Sequence, residues 1–433
     1  MVMATAQPAI STVPVQAAPT VQQATAATPP IYGIETNTGR IASRGVQNQA
    51  SALGASWLRL NTVSWRGVQA EPDGPYDWSA LANFERELAA ANETGMIPIV
   101  IVDDYPRWAT RYETSCSAIT SDRFNDFAQF MTALVERYHQ APYNVRYWEM
   151  GNEVDIDPSL VAQDNFFGCW GDIEDTYYGG EHYGEMLKVV TPAIKQTDPN
   201  ALVMIGGLLL DRPNTTISGR GKPERFLEGI LEAGAADSFD IVAFHTYPWF
   251  RERRVDSDLT DYRWSLLGGG VIGKATFLRD IMARYGVDKP LFLNETALLG
   301  FIHEESFYQS QADHIVRMAI RAASIDIQAF CWYTLHNNGW FSGGLLDGSN
   351  QPRPAFIAYQ QLIERTSGLG TPVRTNDYGD TVEAYRFTNR TVCLMCSGLA
   401  MRRHTPLNCH EQPLLLPLNV MASRWSWGQP PER

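Results

Sequence analysis

The chain has 433 residues, 44 % of them hydrophobic, with a formal net charge of −13 and a pI of about 5.1. That length holds one large domain or two medium ones, with a sizeable core. An acidic surface of this extent repels phosphate backbones and argues against a nucleic-acid partner. No apolar run approaches the roughly 18 residues of a membrane span.

Residues 1–30 carry no charged side chain and run through Ala, Thr, Pro, Gln and Val in low-complexity order. Such a segment cannot bury enough apolar surface to offset its ordering entropy, so it reads as a disordered linker. It lacks the basic start and apolar stretch of a signal peptide. Its Ala/Thr/Pro bias is that of extracellular linkers and points to a secreted or cell-surface protein.

From Ile31 onward, short apolar runs alternate with longer segments of helical period. The runs are "IYGIE", "SWLRLN", "MIPIVIVDD", "VRYWEMGNE", "ALVMIGGLL", "FDIVAFHTY", "KPLFLNE" and "IQAFCWYTL". Between them lie stretches such as "WSALANFERELAAANETG" and "DRFNDFAQFMTALVERYHQ", and the series closes with "PAFIAYQQLIERTSG". Eight strands alternating with about eight helices over residues 31–367 predict an α/β fold, a (β/α)8 TIM barrel. A doubly wound open sheet would need a Gly-rich phosphate turn after its first strand, and "IYGIETNTGR" is not one. "GGGVIGKA", from Gly268, nearly matches a P-loop, but Ala275 stands where a hydroxyl must reach Mg²⁺.

Residues 368–433 read as a small β appendage and an irregular tail. "YGDTVEAYRFTNRTV" gives two short strands, and periodicity is lost after Val392. Cys393, Cys396, Cys409 and His410 have the donor types of a zinc set, but nothing periodic frames them. The tail therefore reads as an end that does not fold, and no metal is assigned. Two other cysteines, Cys116 and Cys169, lie in long polar loops after the third and fourth strands. These loops are neighbours on one face of a barrel, so a disulfide is expected there. It would close a loop of about 50 residues, stabilise by roughly 3–4 kcal/mol and suit an exported protein. Cys331, inside the eighth strand, is expected to be a buried free thiol.

The strand C-terminal ends form the active face of such a barrel, and polar residues gather there. Asn152-Glu153 ends the fourth strand and Asn294-Glu295 the seventh. His245 and Tyr247 end the sixth, and Asp103-Asp104 the third. Arg59 lies on the second and Trp332 on the eighth, which leads to His336. Side chains alternate along a strand. Trp57 and Arg59 share a face, as do Glu149, Gly151 and Glu153; Ile241, Ala243 and His245; and Leu291, Leu293 and Glu295. With those faces inward, Glu153 and Glu295 converge from strands three apart. Asn152 has the wrong parity, so a bend after Gly151 is needed to aim it inward. Two carboxyl groups across a pocket suit glycoside hydrolysis: one donates a proton to the leaving oxygen, the other attacks or activates water. Loop aromatics including Tyr105, Trp108, Trp249 and Phe341 supply planes for sugar rings, with Asp104 beside them to bind hydroxyls.

"WEMGNEVD" resembles the W-E-x-x-N-E-P-D run of the clan A retaining glycoside hydrolases, whose acid and nucleophile sit on strands four and seven. "LFLNETAL", "HTYP" and "CWYTL" resemble that clan's strand-seven, strand-six and strand-eight signatures. Families thirty-nine and five are the nearest in appearance. The resemblance implies Glu153 as acid/base and Glu295 as nucleophile, with no cofactor. It implies Asn152 on the sugar 2-hydroxyl, Arg59 and Tyr247 near the nucleophile, and His245 and Trp332 lining the subsite of the cleaved sugar. Val154, Gly151 and Asn294 stand where the clan commonly has Pro, Trp and Thr. The expected partner is a carbohydrate. The alternative is a non-catalytic carbohydrate-binding barrel that has kept the cleft. A metal-dependent hydrolase finds no HxH or HExxH among the eight His.

Overall fold

Each of the eight apolar runs becomes a strand. In chain order they are β1 (Tyr32–Thr36), β2 (Trp57–Ser64), β3 (Ile97–Asp103), β4 (Tyr147–Asn152), β5 (Leu202–Leu208), β6 (Ile241–Thr246), β7 (Leu291–Thr296) and β8 (Ile327–Trp332). The computed structural model describes residues 30–394, apart from 37–39, 115, 163–164, 166, 215–220, 252–254, 301–304, 337–340, 378–381 and 388–389, and also residues 414–416. The strands pair in parallel in sequence order, and β8 closes on β1. Closure leaves no open edge.

The helices are α1 (Arg44–Leu53), α2 (Trp65–Val68), α3 (Ala82–Thr94), α4 (Phe124–Tyr138), α5 (Gly180–Thr197), α6 (Phe226–Glu232), α7 (Gly269–Arg284), α8 (Glu305–Ser324) and α9 (Pro354–Thr366). α4 shows why they coat the barrel. Phe124, Phe127, Met131, Leu134, Val135 and Tyr138 recur at helical spacing and are all buried. Full burial of a side chain of this kind contributes roughly 1.5–3 kcal/mol. Among the described residues, no helix is long and apolar enough to cross a membrane.

The lumen is a plug of Trp57, Ile99, Met204, Ile241, Ala243, Phe292, Ala329 and Cys331. This confirms the expected parity on β2 and β6 and corrects it on β7. There Phe292 points inward, while Leu291 and Leu293 belong to the layer between sheet and helices. The pairing of β7 with β8 shifts register between Leu293 and Thr296, and that of β6 with β7 shifts between Phe244 and His245. An irregularity of this kind swaps the faces of a strand, and it returns Glu295 to the pocket.

The glycines of "GGGVIGKA" open α7, whose N-terminus does hold an anion. Gly270 and Val271 donate their N–H groups to Asp258 Oδ1 at 2.6 and 3.2 Å. A carboxylate of the chain itself takes the place a phosphate would have. Asp258 and Asp256 pair with buried Arg321 of α8, which also forks onto Glu383 at 2.6 and 2.8 Å. Glu383 opens β10 (Glu383–Phe387), which lies in a small sheet between β9 (Val373–Thr375) and β11 (Arg390–Leu394). β12 (Leu414–Leu416) pairs with β11, so ordered backbone extends past Val392, where periodicity ends. Cys396, Cys409 and His410 of the zinc alternative, and residues 1–29 of the expected linker, lie outside the described residues.

Candidate active site

Above the apolar plug, at the strand ends, lies a layer of buried charge. Arg59 of β2 is its centre and is fully buried. It forks onto Glu149 of β4 through Nε and Nη2, both at 2.9 Å, and Nη2 also donates to Asn152 Oδ1 at 2.7 Å. Nη1 donates to Glu35 Oε2 of β1 at 2.6 Å and to Glu295 Oε2 of β7. The Tyr247 hydroxyl donates to Glu295 Oε1.

Asn152 points inward because the chain bends where required. Gly151 takes φ +86°, a left-handed conformation that glycine adopts without strain, and Glu153 follows at φ +51°. Buried Asp103 at the end of β3 pins this bend, accepting the backbone N–H groups of Asp104 and Asn152. Burial pushes its own carboxyl up to about 7.

Glu153 sits across from Glu295, with the His245 ring between them. His245 Nδ1 is 2.9 Å from Glu153 Oε1, and Nε2 is 3.8 Å from Glu295 Oε2. The imidazole fits only because residue 207 is glycine: a Cβ there would lie 2.0 Å from Nε2. Burial lowers His245 to about 4, so it is neutral at pH 7. Burial also raises Glu153 to about 7, against the pull of Arg59 and Lys274. Lys274 of α7 braces this region from behind, donating to the carbonyls of Leu209 and His245, both at 2.7 Å. One oxygen each of Glu153 and Glu295 and a His245 nitrogen lie within 4.8 Å of one another. That spacing could hold a cation, but Arg59 already occupies Glu295 Oε2.

Other expected residues lie elsewhere. Trp332 is fully buried and turned away from the lumen. Its indole N–H donates to the Gly343 carbonyl at 2.9 Å and its ring meets His314 of α8. Cys331 takes the inward position, as a buried free thiol. The next residue, half-buried Tyr333, stands edge-on to Tyr247 with ring centroids 6.5 Å apart. Asp104 ties loops together, accepting from Ser64 Oγ at 2.5 Å and pairing with Arg66 at 2.9 Å. Trp108 packs against Trp65, beneath the Arg123 guanidinium, and lines a side cavity of about 340 Å³ with Tyr76 and Asp126. Cys116 and Cys169 form the expected disulfide, with Cα atoms 5.0 Å apart. Beside it, Tyr112, Asp157, Trp170 and His182 line a cavity of about 610 Å³, away from the carboxylate pair. Tyr105 is buried, whereas the Trp249 ring is 40 % exposed and packs on Phe341.

Sequence reasoning missed Glu35, and it placed Glu149 on the inward face without a role. The available signal was an acid inside an apolar strand, which needs a buried partner.

A family model described as cellulase, glycosyl hydrolase family 5, matches residues 21–330. No curated protein matches the chain significantly. Among solved structures, a family 39 glycoside hydrolase from Bacteroides cellulosilyticus WH2 is similar, with TM-score 0.61 at 16 % identity over 83 % of this chain and 68 % of that one. A family 39 β-xylosidase from Caulobacter crescentus gives 0.53 at 20 % identity, over 84 % and 77 %. A family 30 subfamily 8 xylanase from Clostridium acetobutylicum gives 0.55 at 13 %, over 83 % and 78 %. At these identities the likeness is one of fold.

Proposed function

The chain belongs to glycosyl hydrolase family 5, the cellulase family, a glycosidase family of clan A, and from that premise we propose the reaction and its residues. The protein cleaves O-glycosidic bonds of a poly- or oligosaccharide with retention of configuration. Glu295 is the nucleophile and Glu153 the acid/base. The observation that carries this reading is the separation of the pair: one oxygen of each lies within 4.8 Å of the other. Measured between carboxyl groups, retaining pairs stand about 5–5.5 Å apart and inverting pairs roughly 6.5–9.5 Å, and so close an approach of one oxygen pair favours the shorter class.

The environments divide the labour. Glu295 receives the Arg59 N–H on one oxygen and the Tyr247 O–H on the other, which fixes its carboxyl group in place. Glu153 is buried without such a cation on its oxygens and keeps its proton up to about pH 7. Glu295 attacks the anomeric carbon as the bond to the leaving oxygen breaks, and the Glu153 proton passes to that oxygen. Water then attacks the glycosyl ester and gives its proton to Glu153, and Glu295 departs as a carboxylate. Neutral His245 holds Glu153 in line. Arg59 takes Asn152 Oδ1 and so turns the amide nitrogen toward the sugar 2-hydroxyl. Tyr333, rather than Trp332, packs on the sugar bound next to the pair. The disulfide and the composition of residues 1–30 support a site of action outside the cytosol.

NMR of the first product tests the scheme, because initial release of the inverted anomer overturns it. Glu295→Ala should abolish turnover, and azide should then give a product of inverted configuration.

A further inference from the structure

Arg59 has five N–H bonds to satisfy in a site closed to water. Three go to Glu149 and Asn152. The two on Nη1 are divided between Glu35 and Glu295. The proposed reaction gives Glu35 no task. Yet Glu35 is 2 % exposed and faces Arg59 of β2, Glu149 of β4, Tyr247 after β6, Glu295 of β7 and Cys331 of β8.

One guanidinium cannot neutralise three buried carboxylates. With all three ionised the cluster would keep two uncompensated negative charges, and burial makes such charge costly. Glu149 has the Arg59 fork and the Gly207 N–H at 2.9 Å. Glu295 has Arg59 and the Tyr247 hydroxyl. Among the described residues, Glu35 has only the bond to Nη1, so its charge is the least supported. Burial, reinforced by Glu295 and Glu149 against the pull of Arg59, raises its carboxyl well above the ordinary value.

We propose that Glu35 is a positioning residue for the nucleophile: a neutral carboxylic acid whose Oε2 takes one hydrogen of Arg59 Nη1 and so keeps the guanidinium from closing fully on Glu295. The inference rests on the reading of Glu295 as nucleophile. Without an acceptor at position 35, Nη1 of Arg59 turns wholly to Glu295. The carboxylate is then over-stabilised before attack, and ground-state stabilisation of that kind slows the chemical step.

The test is the pH profile of kcat/KM on an aryl glycoside for the wild type, Glu35→Gln and Glu35→Met. Gln keeps a neutral oxygen acceptor, so it should hold kcat/KM within about threefold and leave the acid limb in place. Met keeps the volume but offers no strong acceptor. It should lower kcat/KM by about tenfold and move the acid limb to lower pH, because Arg59 then favours charge on Glu295. Should the Met variant not fold, as judged by circular dichroism, Glu35→Asp is too short to reach Nη1 and carries the same expected shift. A Gln variant whose limb moves as far as the Met or Asp variant's shows an anion at work and overturns the proposal. A Met or Asp variant that loses activity with its limb unmoved shows packing alone and also overturns it. Failure of the nucleophile reading would show separately, as turnover retained by Glu295→Ala.

Discussion

Replacing Glu153 by Gln should stabilise the protein at high pH and leave it nearly unchanged at low pH. The side chain is 6 % exposed, and burial raises its carboxyl from the ordinary 4.5 to about 7. A carboxyl that binds its proton more tightly when folded weakens the fold once it ionises. The sign is therefore fixed: stability is full below about 4.5, is lost as pH rises toward about 7, and the loss is complete above that. The gap of about 2.5 pH units, at ~1.4 kcal/mol each, comes to ~3 kcal/mol at pH 8. Gln keeps the shape and can still bond His245 Nδ1, but it does not ionise. For a chain of this size ~3 kcal/mol is a few degrees of Tm. Thermal melts of both proteins across pH 5 to 8 should show a gap that opens with pH. An equal offset at both ends refutes the placement of the proton. Wild-type kcat/KM should fall over the same interval, since that proton is the one delivered to the leaving oxygen. A limb of kcat/KM that falls elsewhere means another group is the acid.

Three further outcomes are expected. Replacing Cys116 and Cys169 together by Ser should lower stability by roughly 3–4 kcal/mol, and an unchanged urea midpoint would count against any role for the bridge. Arg321→Met removes the guanidinium that Asp256, Asp258 and Glu383 share, while Asp256 keeps Arg317 at 4.0 Å. It should destabilise by about 3–5 kcal/mol in urea unfolding, and a loss under about 1 kcal/mol would mean water reaches the cluster. Trp332→Phe should lower Tm with KM unchanged, while Tyr333→Ala should raise KM by about fivefold or more. The reverse pattern would return Trp332 to the sugar.

The barrel was legible because each strand is an apolar run ending in polar residues. Arg59 and His245 followed from alternation along strands that keep it up to the pocket, whereas Glu153 lies past the bend at Gly151 that also brings Asn152 inward. β7 does not keep the alternation. Glu295 was expected in the pocket through parity with Leu291 and Leu293, which in fact face outward. The register shift that rescues it depends on neighbouring strands, and no single strand's sequence records it. Trp332 was expected from the strand-eight resemblance and not from alternation. With Ala329 and Cys331 in the lumen, Trp332 turns outward and the aromatic beside Tyr247 is Tyr333. The near P-loop is refused on its chemistry, and in the fold the segment binds an anion of the chain itself, Asp258.

Charge counting would have carried the reading further than parity did. Glu35, Glu149, Glu153 and Glu295 all lie at or near the ends of apolar strands, and Arg59 is the one strand-end cation among those runs. Even with Lys274 behind Glu153, a barrel mouth cannot hold four buried anions on so few cations, so some of these acids must keep protons. Which ones depends on donors that only the fold reveals. Glu149 accepts the Gly207 N–H and the Arg59 fork, and Glu295 accepts from Arg59 and Tyr247. Glu153, beside a neutral imidazole, and Glu35, on one shared hydrogen bond, are left to hold protons. The first is the proton the proposed reaction consumes. The second leaves the guanidinium divided, and a divided guanidinium is what keeps a buried carboxylate reactive.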